Sequence, residues 1–101
     1  MSSLSIRKDP VSVAEALKVV RLHVGAGQSV PEHHANVDVV VTVVRGHGRF
    51  TVEGVGRDIA AGEVVVMAPR AKHAIDAYSD LELVVVHARL ASGGEAARCG
   101  A

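Results

Sequence analysis

The chain has 101 residues, and its 11 Lys+Arg balance its 11 Asp+Glu to a formal net charge of zero. One domain of this length buries a single core. The absence of a basic stripe and the presence of only two aromatic residues exclude the usual nucleic-acid-binding surfaces. No apolar stretch is long enough to cross a bilayer, and the first ten residues lack a signal-peptide core, so we expect a cytoplasmic protein without a membrane partner.

The apolar residues are unusually rich in valine. The chain contains twenty Val against six Leu and three Ile. Valine has a branched Cβ and packs well on a pleated surface, so this composition favours β-strands. The single cysteine, Cys99, excludes both an internal disulfide and a cysteine zinc cluster.

In chain order, residues 1–16 form a predicted N-terminal arm. Residues 12–18 are either a short helical turn or an extended segment that leads into the first strand. Short apolar runs then alternate with turn residues, which predicts six or seven strands in an antiparallel sandwich or barrel over residues 17–90. Residues 91–101 are rich in Gly, Ser and Ala, and we expect a flexible tail. The predicted runs are 17–24, 37–44, 49–54, 64–67, 73–78 and 81–90.

Side-chain alternation assigns the faces of these strands. In the run 37–44, one face carries only valine, including Val39 and Val41, and this face must pack in the core. The same parity, continued backwards without a bulge, turns His33 inwards and His34 towards solvent. In the next-to-last run, His73 shares the face of apolar neighbours and also turns inwards.

Three other polar residues are candidates for the barrel interior or its mouth. His87 shares a face with two apolar residues of the last run and could turn inwards. Arg70 and Lys72 lie in the turn before His73. They form either a solvated turn, which is the simpler interpretation, or a pair of cations that attracts an anionic ligand.

The segment 27–46 resembles the first motif of the cupins, G-x5-H-x-H-x3,4-E-x6-G. Gly27, His33 and Gly46 occupy the first glycine, the first histidine and the closing glycine of that motif. The spacing between these three positions is met throughout.

The segment 62–73 resembles the second cupin motif, G-x5-P-x-G-x2-H-x3-N. Gly62 and His73 stand at the expected separation, whereas Arg70 replaces the second glycine. Together the two resemblances imply an all-β, cupin-type jelly-roll barrel with six to eight antiparallel strands.

The resemblance is incomplete at the metal-binding positions. Metal-binding cupins take two histidines and a glutamate from the first motif and one histidine from the second. Here Ala35 stands at the second histidine position and Val39 at the glutamate position, so only one histidine of each motif remains. A one-residue shift would instead place Glu32 and His34 at the two metal positions.

Two functions follow as hypotheses. The first is a small-molecule-binding cupin of unassigned activity, and the second is a metal-dependent cupin enzyme of dioxygenase or isomerase type. Zn, Ni, Fe, Mn and Cu are the metals that such ligands suit. The predicted pocket residues are His33, Val39, Val41, His73 and His87. The predicted metal ligands are His33 and His73, with His87, Glu32 or His34 as a possible third ligand.

An excess of outward-facing apolar residues predicts a homodimer. Val40 and Val44 lie opposite the core face of their run, and both faces are apolar in 64–67 and 83–86. One small barrel has a single interior, so a partner chain is the simplest cover for the second face. The alternative is that the arm 1–16 folds over it.

Overall fold

The computed structural model describes residues 6–13 and 16–88, with side chains at all of these except 12 and 13. All regular structure within these residues is β, which confirms the predicted fold class. The nine strands are β1 (Ile6–Val13), β2 (Leu17–Val24), β3 (Ser29–His33), β4 (Asp38–Arg45), β5 (His47–Val52), β6 (Val55–Ala60), β7 (Val64–Met67), β8 (His73–Ala77) and β9 (Leu81–Ala88).

The strands form two antiparallel sheets that face each other as a jelly roll. One sheet has the order β1-β2-β9-β4-β7 and the other has the order β3-β8-β5-β6. Alternation correctly assigned the core face of β4, where Val39, Val41 and Val43 are each at most 2% exposed. Burial of a valine side chain contributes about 1.5–3 kcal/mol, so this face anchors the sheet. The core comprises Leu22, Val24, Val39, Val41, Val43, Phe50, Ile59, Val65, Met67, Ile75, Ala77, Leu81 and Leu83.

The described residues form nine strands, one more than the six to eight that the sequence predicted. Strands β1 and β3 are among those for which no apolar run was recognised. Each contains a proline, Pro10 in β1 and Pro31 in β3, and each lies at the edge of its sheet. Proline cannot donate to a neighbouring strand and is therefore confined to edges and bulges. The prolines made these segments look unlike strands, although they are compatible with edge positions.

Strand β1 belongs to the predicted arm, but it extends a sheet instead of covering one. It pairs with β2 from Ile6↔Val24 to Val13↔Lys18, with a register shift after Pro10. The described apolar side chains of this strand remain exposed, Ile6 at 38% and Val11 at 56%. The domain boundaries at residues 16 and 91 stay predictions, and residues 91–101 lie outside the described part of the chain.

The outer face of the five-stranded sheet carries a continuous apolar row. Val66, Val40, Val86 and Val19 are register neighbours across β7, β4, β9 and β2. Val66 is 71% exposed. This row coincides with the surface from which we predict a homodimer, and the dimer stays a prediction.

Two turns show how the motif glycines act on the backbone. Gly46 has a φ of +88°, and a Cβ at this position would collide with the backbone carbonyl of Asp80. Only glycine fits such a close approach in the left-handed region. Arg70 keeps a positive φ of 69° although it is not glycine. A non-glycine residue in this left-handed region is strained.

Within the described residues there is no helix that is long and apolar enough to cross a membrane.

Candidate functional site

The two sheets enclose a cavity of about 170 Å³. Most of its wall is apolar, with side chains from both sheets. The apolar lining residues are Val20, Leu22, Val30, Ala35, Val41, Phe50, Ile75 and Val85. The remaining lining residues are all basic: His33, His34, His73, His87, Lys8 and Lys18.

The two motif histidines lie next to each other in this cavity. His33 ends β3 and is the register partner of His73, the first residue of β8. Their ring centroids are 4.2 Å apart with the rings edge to face. His73 is only 7% exposed and stacks on Phe50 at 6.1 Å, whereas His33 is exposed. The pair therefore combines one buried and one accessible imidazole.

The backbone orients both imidazoles in the same way. The Nδ1 atom of His33 lies 2.9 Å from the carbonyl oxygen of Pro31, and that of His73 lies 3.1 Å from the carbonyl oxygen of Ala71. A carbonyl oxygen only accepts, so Nδ1 must carry the hydrogen in each ring. In the neutral form, each Nε2 therefore keeps a free lone pair that can bind a ligand hydrogen or a metal.

Burial lowers the pKa of His73 below its ordinary value, because an apolar environment disfavours the charged ring. The hydrogen bond to the Ala71 carbonyl opposes this effect, and the nearby His33 and His34 add to it by repulsion. The shift favours the neutral form of His73.

His87 is the third imidazole of the cavity and lies on β9. Its Nδ1 atom is buried and has no hydrogen-bond partner among the described residues. Burial lowers the pKa of this histidine, and the charges of Lys18 and Lys8 lower it further. An unpaired buried nitrogen costs about 1–3 kcal/mol, so a ligand that bonds to it would gain this energy.

The structure places the other predicted site residues as follows. Val41 lines the cavity, but Val39 packs in the core and does not reach it. His34 is exposed, as alternation predicted, and it also lines the cavity. The strand β3 ends at His33 after a register shift, so alternation alone does not exclude residue 34 from the cavity. Glu32 is exposed and is not among the lining residues.

Sequence reasoning missed the two lysines of the cavity, whereas Arg70 and Lys72 are exposed, in agreement with the simpler interpretation as a solvated turn. Arg70 and Lys72 do not line the cavity, whereas Lys8 and Lys18 do. Lys18 has the same parity as the buried Val20 and Leu22, and this pattern could have revealed its inward direction. Lys8 lies on β1, which had no recognisable strand pattern, so the sequence carried no signal for it.

The two motif histidines alone do not provide enough ligands for a metal centre. A stable protein site usually has at least three protein ligands. No group of three His, Cys, Asp or Glu side chains that could hold a metal ion occurs in the part of the chain that the structure describes. The two neighbouring imidazoles are therefore an incomplete ligand set, and they fit a metal centre poorly by themselves.

Solved structures with the same fold come from several bacteria. An RmlC-like cupin protein from Desulfovibrio desulfuricans is 26% identical, with 85% of this chain and 84% of that chain covered and a TM-score of 0.78. A cupin superfamily protein from Desulfitobacterium hafniense is 14% identical over 86% and 80% of the two chains, with a TM-score of 0.80. KdgF from Halomonas sp. is 21% identical over 85% and 81%, with a TM-score of 0.76.

A comparison with curated proteins found no significant match. The family model described as "Cupin domain" matches residues 18–88. This range begins in β2 and ends with β9, and it contains both motif histidines. The jelly-roll topology and the two motif segments agree with this match, so the chain belongs to the cupin family.

Proposed function

We propose that this cupin binds a small molecule in the cavity, in contact with His33 and His73. The observation that carries the proposal is the pairing of two imidazoles with free Nε2 atoms inside a cavity whose wall is mostly apolar. Ligand sites typically combine an apolar wall with a few polar groups that orient the ligand.

The cavity volume limits the size of the ligand. A dry protein cavity of about 150 Å³ is large enough for benzene. The cavity of this protein, about 170 Å³, therefore suits a compact molecule. Such a molecule has on the order of ten non-hydrogen atoms, and a larger one would have to extend through the mouth beside the exposed His33.

A metal-dependent enzyme is the second candidate. One observation favours it: in both motif histidines, a backbone carbonyl holds Nδ1 and leaves Nε2 available, as is usual for metal-bound histidine. His87 is the described residue best suited to complete the set, because its buried Nδ1 has no partner in the described structure. A divalent transition metal bound there would act as a Lewis acid or redox centre.

The test of the first proposal is a fragment screen of the full chain by two-dimensional NMR. We expect binders whose chemical-shift changes map to the cavity and whose affinity falls about tenfold or more in His33→Ala and His73→Ala. The matched control is His47→Ala, which removes an exposed imidazole outside the cavity. Binding that is unchanged in both cavity variants, or that maps elsewhere, would contradict the proposal.

The second candidate is tested by metal analysis of protein purified without a tag. The first proposal predicts well under one transition metal per chain, and no tight uptake of Zn²⁺ or Ni²⁺ in equilibrium dialysis. One metal per chain that is lost in His33→Ala, His73→Ala and His87→Ala would establish the metal-dependent alternative.

A further inference from the structure

We infer that the ligand of this cavity is a small carboxylate with an apolar body, whose negative charge is neutralised by Lys8 and Lys18. The inference rests on the proposed function, because it names the chemical class of the molecule that the cavity takes.

The charge of the cavity differs from that of the chain. The whole chain balances 11 basic against 11 acidic residues. The lining, in contrast, contains two lysines and four histidines, and no Asp or Glu among its described residues. The two lysines thus concentrate positive charge at one place in a neutral protein, which raises the local concentration of anions.

The two lysines have no carboxylate partner in the described structure. None of the ion pairs found among residues 6–13 and 16–88 involves Lys8 or Lys18. On the same strand as Lys8, Arg7 pairs with Asp9 at 2.9 Å, so a nearby carboxylate is already engaged by another cation. As far as the described residues go, the cavity lysines are therefore able to pair with an anion from solution.

The sheet register brings the lysines to the histidines. Lys18 is directly opposite His87 on β9. Lys8 is opposite Leu22, which has the same parity as Lys18 and lies four residues further along β2. Both lysines line the cavity, so a carboxylate bound there would be attracted by both positive charges.

The apolar part of the lining distinguishes a carboxylate from an inorganic oxyanion. Eight of the fourteen lining residues are apolar, and Phe50, Ile75 and Val85 are among them. A phosphate ion would leave this surface without a partner, whereas a carboxylate with an aromatic or aliphatic body covers it. The cavity thus offers apolar contacts for the body of such a molecule and positive charge for its carboxylate.

The experiment compares benzoate with benzamide by isothermal titration calorimetry on the full chain. The two molecules have the same shape, and only benzoate is charged at neutral pH. We expect benzoate to bind at least about tenfold more tightly than benzamide and also more tightly than inorganic phosphate. Its Kd should rise with added salt, because screening weakens exposed charge pairs.

Substitution of the lysines separates charge from shape. We expect Lys8→Gln/Lys18→Gln to weaken benzoate binding roughly 5- to 20-fold and benzamide binding less than about twofold. The matched control is Lys72→Gln, which removes the same charge outside the cavity and should change neither Kd by more than about twofold. Circular dichroism of each variant checks that it is folded.

Three results would overturn the inference: equal affinity for benzoate and benzamide, equal affinity for phosphate and benzoate, or an equal loss in Lys72→Gln. If benzamide binds with dependence on His33 and His73 but benzoate has no advantage, the small-molecule proposal stands and the carboxylate inference fails. If no fragment of any charge binds in the cavity, both fail.

Discussion

Mild acidification should destabilise this protein through two of its cavity histidines, His73 and His87. The perturbation is a decrease in pH from 7.5 to 5.5, a range in which most carboxylates remain ionised. His73 is 7% exposed, and His87 has a buried Nδ1 atom without a partner in the described structure. Burial lowers the pKa of both side chains in the folded protein, and neighbouring basic groups lower it further.

The sign follows from proton linkage. In the unfolded chain, both histidines regain their ordinary pKa of about 6.5. Below that pH, the unfolded state binds more protons than the folded state, so the free energy of unfolding decreases as the pH falls. The contribution of these histidines is fully present above pH 6.5. It is lost as the pH falls towards the lowered pKa values of the folded state.

The magnitude has an upper limit that linkage sets. Each histidine can change the free energy of unfolding by at most about 1.4 kcal/mol per pH unit, so the pair can contribute up to about 2.7 kcal/mol per pH unit. Domains of this size are stable by about 5–15 kcal/mol, and the effect is therefore a measurable fraction of the total.

The assay is urea denaturation at pH 7.5, 6.5 and 5.5 for the wild type, His73→Asn/His87→Gln and His47→Gln. We expect stability to fall below pH 6.5 in the wild type and in His47→Gln, and to be nearly flat in the double variant. His47 is the control because its exposed side chain lies outside the cavity. A flat wild-type profile, or an unchanged slope in the double variant, would refute the reasoning.

Three further predictions concern the surface and the turns. Arg70→Gly should raise the free energy of unfolding by roughly 0.5–1 kcal/mol in urea titrations, because glycine adopts a positive φ without strain; a decrease would show that the arginine side chain stabilises the turn. His33→Ala should remain soluble and folded at a cost of about 0.5–3 kcal/mol by thermal melting, because His33 is exposed at a cavity; loss of soluble expression would reveal a structural role. Light scattering should show a dimer for the wild type and a monomer for Val40→Lys/Val66→Lys, because the two substitutions place charges on the apolar row. A monomeric wild type would contradict the dimer, and a dimeric variant would place the interface elsewhere.

The strand pattern was predictable because it is local. Two of the predicted runs, 17–24 and 64–67, match β2 and β7 residue for residue. Alternating valines identified the core face of β4, because successive side chains of a strand point to opposite faces and a buried face therefore needs an apolar residue at every second position. Strands β1 and β3 lacked this signal, because edge strands tolerate proline and polar residues.

The valine-rich composition and the short apolar runs by themselves predicted an all-β fold. The spacing of glycines and histidines showed the two motif segments, and alternation showed which face of β4 packs in the core. The neighbours of each side chain depended on sheet pairing, which joins residues far apart in the chain. His33 meets His73 across β3 and β8, and Lys18 meets His87 across β2 and β9. Alternation tells which face a residue occupies but not which strand lies beside it, because register is a property of two strands. Only the tertiary structure could therefore place the lysines of the N-terminal strands beside the histidines and give the cavity its positive charge.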